Sequence, residues 1–126
     1  MKMMLAGLGI DLTEIDRIKK AASKQPQFIK HVLTQNEQEQ LAQFAGQRYW
    51  EYLSGRWSLK ESFSKAYGTG IGSQVSFQDI EILDNQVGRP IITKSPFQGV
   101  ALASVSHTGT LVMTEVVLEK ETTDDE

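Results

Sequence analysis

Gly55-Arg56-Trp57-Ser58-Leu59-Lys60-Glu61-Ser62-Phe63-Ser64-Lys65-Ala66-Tyr67 reads as the second half of a helix that begins near Arg48, with Gly68 placed to terminate it. At helical spacing Tyr52, Leu59, Phe63 and Ala66 form one stripe, which is the core-facing side. Trp57, Glu61 and Lys65 stand at i, i+4 and i+8 on roughly the opposite face. A purely solvated face rarely carries a tryptophan. The helix is therefore expected to be contacted on both sides, by a core on one and by a site or partner on the other. The plainer account of Glu61 and Lys65 is a surface i,i+4 ion pair, worth about 0.3–0.5 kcal/mol.

Upstream of this helix, the nearly continuous apolar run Met4 to Leu12 reads as a buried strand. Thr13 resembles a helix N-cap, with Asp16 three residues on and Ile15 and Ile18 as an apolar face; Pro26 ends or bends that helix. Thr34 and Glu37 match a capping box that opens another helix, through about Ala45. Downstream, Val75 to Ile82 alternates as a half-buried strand does, Asp84-Asn85 supplies a turn, and Gly88-Arg89-Pro90 leads into a short Ile91-Ile92 strand. Pro96 to Ala101 reads as a short helix or turn. Two last strands, about Leu102–Ser106 and Leu111–Leu118, flank a hairpin connection at His107-Thr108-Gly109-Thr110. One strand, several helices, then mostly strands define an α+β class with helices packed on a mostly antiparallel sheet. Residues 1–119 are expected to form one domain, followed by an acidic tail at 120–126 expected to be disordered.

The 126 residues suffice for one domain with a thin core, and 40% apolar with 23% charged residues is ordinary for a soluble protein. No apolar run approaches the roughly 20 residues that span a bilayer, so no membrane partner is expected. The N-terminus does not read as a signal peptide, and the sequence has no cysteine for disulfides, thiolate metal sites or a thiol nucleophile. A cytoplasmic location is the simplest expectation. Net charge is -3, but residues 1–30 carry six basic and three acidic side chains. That basic third can receive an acidic partner, although a solvated helix face has the same pattern. Bulk acidity argues against nucleic-acid binding.

Asp11 lies inside an apolar run, where an ionised carboxylate needs a cation or several donors; a turn carboxylate accepting backbone hydrogen bonds is the other reading. With Glu61 it makes two carboxylates on separate elements and no His/Cys cluster, which suits a hard cation such as Mg²⁺ completed by substrate phosphate oxygens. Lys65, one turn from Glu61, can then hold a phosphate. Ser104-Val105-Ser106-His107-Thr108-Gly109 lacks a nucleophile elbow and a third triad member; it is either an anion-binding strand end or a plain hairpin. Gly7-Leu8-Gly9 lacks the third glycine of a dinucleotide fingerprint. Gly68-Thr69-Gly70-Ile71-Gly72 is not a P-loop but a flexible helix exit whose backbone can approach a ligand.

Together these segments resemble holo-acyl-carrier-protein synthase, the short bacterial branch of the 4′-phosphopantetheinyl transferases, from Gly7 to about Val117. The resemblance rests on Gly9-Ile10-Asp11-Leu12 through Arg17-Ile18, Arg56 to Ala66, Gly68 to Gly72, Gly88-Arg89-Pro90 and Ser104-Val105-Ser106-His107, in that order. It implies a 4′-phosphopantetheinyl transferase-like fold and transfer of the phosphopantetheine arm of coenzyme A to a serine of apo-acyl carrier protein, releasing adenosine 3′,5′-bisphosphate. The pathway implied is fatty acid biosynthesis, within lipid metabolism. Asp11 and Glu61 match the family's Mg²⁺ ligands and Lys65 its lysine near the pyrophosphate, which makes these three the catalytic candidates. Arg56, Ser106 and His107 match positions that hold the nucleotide's phosphates, with Gly68 and Gly70 beside the substrate. Family members are usually homotrimers with a site at each subunit interface. The first helix receives the acidic carrier, a role that falls here to Arg17, Lys20 and Lys24, with Lys19 nearby. The base that takes the serine proton is left open between Glu61 and a water on the metal. Trp57 departs from the pattern, since many relatives have a smaller or different apolar residue there. A magnesium-dependent phosphohydrolase and a non-catalytic nucleotide-binding module are the rival functions.

Overall fold

The computed structural model describes residues 2–122. Its elements are, in order, β1 (Lys2–Glu14), α1 (Ile15–Lys24), α2 (Phe28–Val32), α3 (Gln35–Leu41), α4 (Gly46–Tyr67), a 3-10 turn at Phe77–Asp79, β2 (Glu81–Asp84), β3 (Pro90–Lys94), β4 (Val100–His107) and β5 (Leu111–Thr122). The strands form an antiparallel sheet in the order β1-β5-β4 and a separate antiparallel hairpin of β2 and β3. This is the expected α+β class.

The 22-residue α4 is the axis of the molecule, and its ends follow from local chemistry. Gly68 adopts φ 98°, and its N–H closes onto the Ser64 and Lys65 carbonyls, which terminates the helix where expected. On one side of α4, Leu59, Phe63 and Ala66 pack with Val75, Ile80, Ile82, Val116 and Leu118. On another, Tyr52 and Leu53 pack with Ile18, Val32, Leu33 and Leu41 of the three smaller helices. The predicted stripe is thus buried, but in two cores rather than one.

Against β1 the helix lies directly on backbone. A Cβ on Gly9 would sit 2.0 Å from the Ser62 carbonyl oxygen, and one on Gly7 would sit 2.1 Å from that of Ala66. Only glycine permits this approach. The helix-facing side of β1 is therefore Gly7, Gly9, Asp11 and Thr13, while Leu8, Ile10 and Leu12 point away. The expectation of a buried strand is corrected here, because the apolar side of β1 is its outer side. With Leu102 and Met113 those three residues are 53% to 65% exposed.

A second fixed point is ionic. Lys60, fully buried, donates to Glu37 at 2.6 Å and to the carbonyls of Val32 and Phe77 at 2.7 and 3.0 Å. Glu37 in turn accepts from the backbone N–H of Thr34 and Ile82. Every ammonium donor is used, which is what makes such a burial tolerable. Burial pulls the Lys60 pKa down and Glu37 beside it pulls back up. The same Glu37 completes the predicted capping box with Thr34.

Other expectations need correction. Thr13 does not cap α1; its hydroxyl donates to Asp11 at 2.6 Å, and Glu14 is the N-cap without a side-chain bond. The third helix stops at Leu41, short of Ala45, and the short α2 was not anticipated. Val75 to Ile82 is not one strand, because a Ser76–Asp79 capping box folds Phe77–Asp79 into a 3-10 turn and pairing starts only at Glu81. Pro96 to Ala101 forms no helix, and β4 begins at Val100. Lys120 to Thr122 extend β5, with Thr122 opposite Lys2, so the domain boundary at 119 falls too early. The rest of the expected acidic tail, residues 123–126, lies outside the described residues.

Gly9→Ala should force α4 off β1 and lower stability by about 1–3 kcal/mol in urea unfolding. Gly72→Ala, where an added Cβ meets nothing within 4 Å, serves as the near-neutral control.

Candidate active site

Seating α4 on Gly7 and Gly9 brings the next inward residue of β1, Asp11, against the polar side of the helix. Asp11 Oδ2 accepts from Ser58 Oγ at 2.7 Å and from Thr13 Oγ1 at 2.6 Å. Its Oδ1 accepts from Lys65 Nζ at 3.2 Å, and the same ammonium donates to the Ile10 carbonyl at 3.1 Å. Ser58 continues into a buried hydroxyl chain through Thr114 Oγ1 at 2.8 Å to Ser62 Oγ at 2.7 Å. The chain links α4 to β5 and fixes the carboxylate's orientation. Ser58, Ser62 and Thr114 escaped sequence reasoning. Their signal was the spacing Ser54-Ser58-Ser62, one small hydroxyl per turn on the side that meets the sheet.

Glu61 stands one turn before Lys65 and is half-buried. Its carboxyl pKa is raised, first by burial and then by the Asp11 charge, with Lys65 and Arg17 pulling it back. Lys65 pairs with Asp11, not with Glu61, so the simple i,i+4 surface pair is not what the fold makes. The structure thus brings Lys65 onto Asp11, with Glu61 one turn earlier on α4 and electrostatically coupled to both.

Arg56 and His107 go elsewhere. They line a cavity of about 340 Å³ with Arg48, Glu51, Asp84 and Gly88, and neither Asp11 nor Glu61 borders it. Arg56 is buried, stacked 4.1 Å from the Tyr52 ring centroid, and donates through Nη2 to Asp84. Arg48 donates to the other Asp84 oxygen at 3.1 Å, a cavity cation that sequence reasoning missed. The buried Arg56 Nε has no partner within the described residues. His107 Nδ1 lies 3.5 Å from Glu51. Ser106 instead borders a shallow recess with Ser104, Met113 and Glu115. Gly68 and Gly70 (φ 69°) form the open exit of α4, with nothing within 4 Å of either added Cβ. On α1, Arg17, Lys20 and Lys24 are exposed at helical spacing, while Lys19 is half-buried against α4.

The model of the 4′-phosphopantetheinyl transferase superfamily matches residues 7–118. The chain belongs to that superfamily. A holo-[acyl-carrier-protein] synthase from Limosilactobacillus reuteri (strain DSM 20016) is 69% identical over 118 residues, 94% of this chain and 98% of the relative. One from Limosilactobacillus fermentum is 62% identical, covering 93% and 98%. The solved holo-(acyl-carrier-protein) synthase from Bacillus anthracis, in complex with coenzyme A (3′,5′-ADP), superposes with a TM-score of 0.86 at 39% identity, covering 94% of this chain and 99% of that one.

For a transferase of this superfamily the carboxylate pair has a direct physical reading. Two like charges held in a half-buried site raise each other's free energy, and a divalent cation relieves that. No group of three or more His, Cys, Asp or Glu side chains is gathered among the described residues, so a closed protein cage is absent there. Two carboxylates leave coordination positions for substrate oxygens, which fits Mg²⁺ better than Zn²⁺ or Ca²⁺.

Glu61 also sets a pH dependence. Because its folded pKa is raised, folding favours the protonated form, and stability falls as pH rises from the ordinary glutamate value through the raised one. In metal-free protein at about pH 7.5, Glu61→Gln should therefore melt above wild type, and the gap should close below about pH 4, where the wild-type carboxyl is protonated folded or unfolded.

Proposed function

We propose that this protein transfers the 4′-phosphopantetheine group of coenzyme A to a serine hydroxyl of an apo-acyl carrier protein. The serine hydroxyl gives its proton to a base, Glu61 or a water. Its oxygen bonds to the β-phosphorus of coenzyme A, the bond from that phosphorus to the bridging oxygen breaks, and adenosine 3′,5′-bisphosphate leaves with the bridging oxygen. The observation that carries this reading is the Asp11–Glu61 pair with Lys65 across it, on a chain matched nearly end to end by holo-[acyl-carrier-protein] synthases.

Asp11 and Glu61 are the residues that would hold Mg²⁺, which would supply charge to polarise the pyrophosphate and to offset charge on the leaving nucleotide. Ser58 and Thr13 keep Asp11 aimed. Lys65, resting on Asp11 and half-exposed, can offer its ammonium to a phosphate of the substrate. Arg56, Arg48 and His107 supply a basic cavity suited to the nucleotide's phosphates, with Ser106 and the Gly68–Gly70 exit as further substrate contacts. Arg17, Lys20 and Lys24 offer an exposed basic stripe to the acidic carrier. The carrier implied is that of fatty acid biosynthesis in the cytoplasm, in keeping with a cysteine-free chain in which no described helix is long and apolar enough to cross a membrane.

The same reading includes a homotrimer with its site between subunits. The apolar outer face of β1, β4 and β5 supports self-association, since exposed patches of this kind mark interfaces. So does the separation of the Arg56–His107 cavity from the carboxylates within one chain. A neighbouring copy supplies what one copy keeps apart.

Mass spectrometry of apo-acyl carrier protein incubated with coenzyme A, Mg²⁺ and the protein should show the added phosphopantetheine arm. Coenzyme A hydrolysis without carrier would instead indicate a phosphohydrolase, and binding without transfer a non-catalytic module. Asp11→Ala and Glu61→Ala should each cut transfer at least about a hundredfold in folded protein. Leu8→Lys, placing a charge on the outer face, should yield monomers by light scattering and lose transfer with the assembly.

A further inference from the structure

Both tryptophans of the chain, Trp50 and Trp57, lie on α4 two turns apart, and each carries a cation from α1. The Arg17 guanidinium carbon lies 5.7 Å from the Trp57 ring centroid, and Lys19 Nζ lies 5.7 Å from that of Trp50. Between them Ile18 is buried in the helical core. The two helices therefore meet through a cation, an apolar plug and a second cation. Among the described residues neither Arg17 nor Lys19 joins an ion pair.

Trp57 is itself braced. Its ring packs 6.2 Å from Phe77, which meets His31 edge-on at 5.7 Å. Glu61 is one turn further along the same face of α4, and the Arg17 charge reaches its carboxyl. Arg17 is thus a cation held over Trp57, one turn of α4 before Glu61, on a ring that packs against Phe77. A guanidinium over a ring keeps its edge donors free for a carboxylate and gives up less rotamer freedom when one arrives.

We propose that Trp57 is a positioning residue for the acidic protein acceptor: its ring holds Arg17 beside the Asp11–Glu61 site, so that the acceptor's carboxylates meet a preset cation when it docks. The inference rests on the carrier-docking reading given above. It accounts for a tryptophan on a face that a bulkless or purely aliphatic side chain could also occupy, because indole has the strongest cation-binding face of the aromatic side chains.

Steady-state kinetics with apo-acyl carrier protein test it. Trp57→Leu should raise the KM for carrier by about two- to sixfold, leaving kcat and the KM for coenzyme A unchanged, and Trp57→Phe should restore most of the loss. Arg17→Ala should raise the same KM, and adding Trp57→Leu to it should cost little more, since the two act as one unit. In a Trp50→Phe background, Trp57 fluorescence should change on Arg17→Ala, reporting the contact without reference to activity. A full additive loss in the double variant, a fall in kcat for folded Trp57→Phe, or an unchanged carrier KM for Trp57→Leu while Arg17→Ala raises it would overturn the positioning role and leave docking intact. An unchanged carrier KM for Arg17→Ala would overturn the docking reading itself.

Discussion

The close approach of α4 to β1 at Gly7 and Gly9 is the constraint on which the other features hang. With added Cβ positions only 2.0 and 2.1 Å from helix carbonyls, the helix can sit at this depth only over glycine. At that depth Asp11 comes within hydrogen-bonding distance of Ser58, 47 residues away, and of Lys65, 54 residues away. A shallower seat would separate the strand carboxylate from the helix carboxylate and disperse the pair. The same helix is held from behind by the Lys60–Glu37 network, immediately next to Glu61 in sequence. The face of α4 that carries the candidate site is therefore set by a steric stop on one side and a fully bonded buried ion on the other.

This geometry costs something. Glu61 is placed where burial and Asp11 both disfavour its charge, and Lys65 forms its ion pair with Asp11 rather than with Glu61. A scaffold optimised for its own stability would pair Glu61 or expose it. Holding two carboxylates partly out of water, with one cation between strand and helix, is instead the arrangement expected of a site that waits for a divalent ion and a phosphate.

Much of this was legible in sequence where the signal is local. The Thr34–Glu37 capping box, the Gly68 stop, the β4–β5 hairpin and the shared face of Glu61 and Lys65 all rest on spacing within a few residues, and each was found. Signals that depend on a distant partner were not. Gly7-Leu8-Gly9 reads in sequence only as an incomplete nucleotide motif, because nothing in the sequence says that Ser62 and Ala66 of a helix, 53 and 59 residues after Gly9 and Gly7, must lie on it. Lys60, a residue type rarely buried, gives no hint that Glu37 and two carbonyls await it. Arg56 and His107 share a motif-level neighbourhood with Asp11 and Glu61 but not a cavity.

The inverted strand β1 joins these observations. In a strand that covers a core, the apolar side faces inward; here glycine, carboxylate and hydroxyl face the helix, and Leu8, Ile10 and Leu12 face out. The inward side cannot be apolar, since any side chain at Gly9 would lift the helix and any apolar group at Asp11 would remove the site. The strand's hydrophobic residues are then available only for the opposite face. One chain therefore builds its reactive side at the expense of an uncovered apolar surface, and the proposed assembly covers that surface with copies of itself. The cost of forming the carboxylate site and the exposed apolar face behind the proposed assembly come from the same strand, so the two features are physically linked.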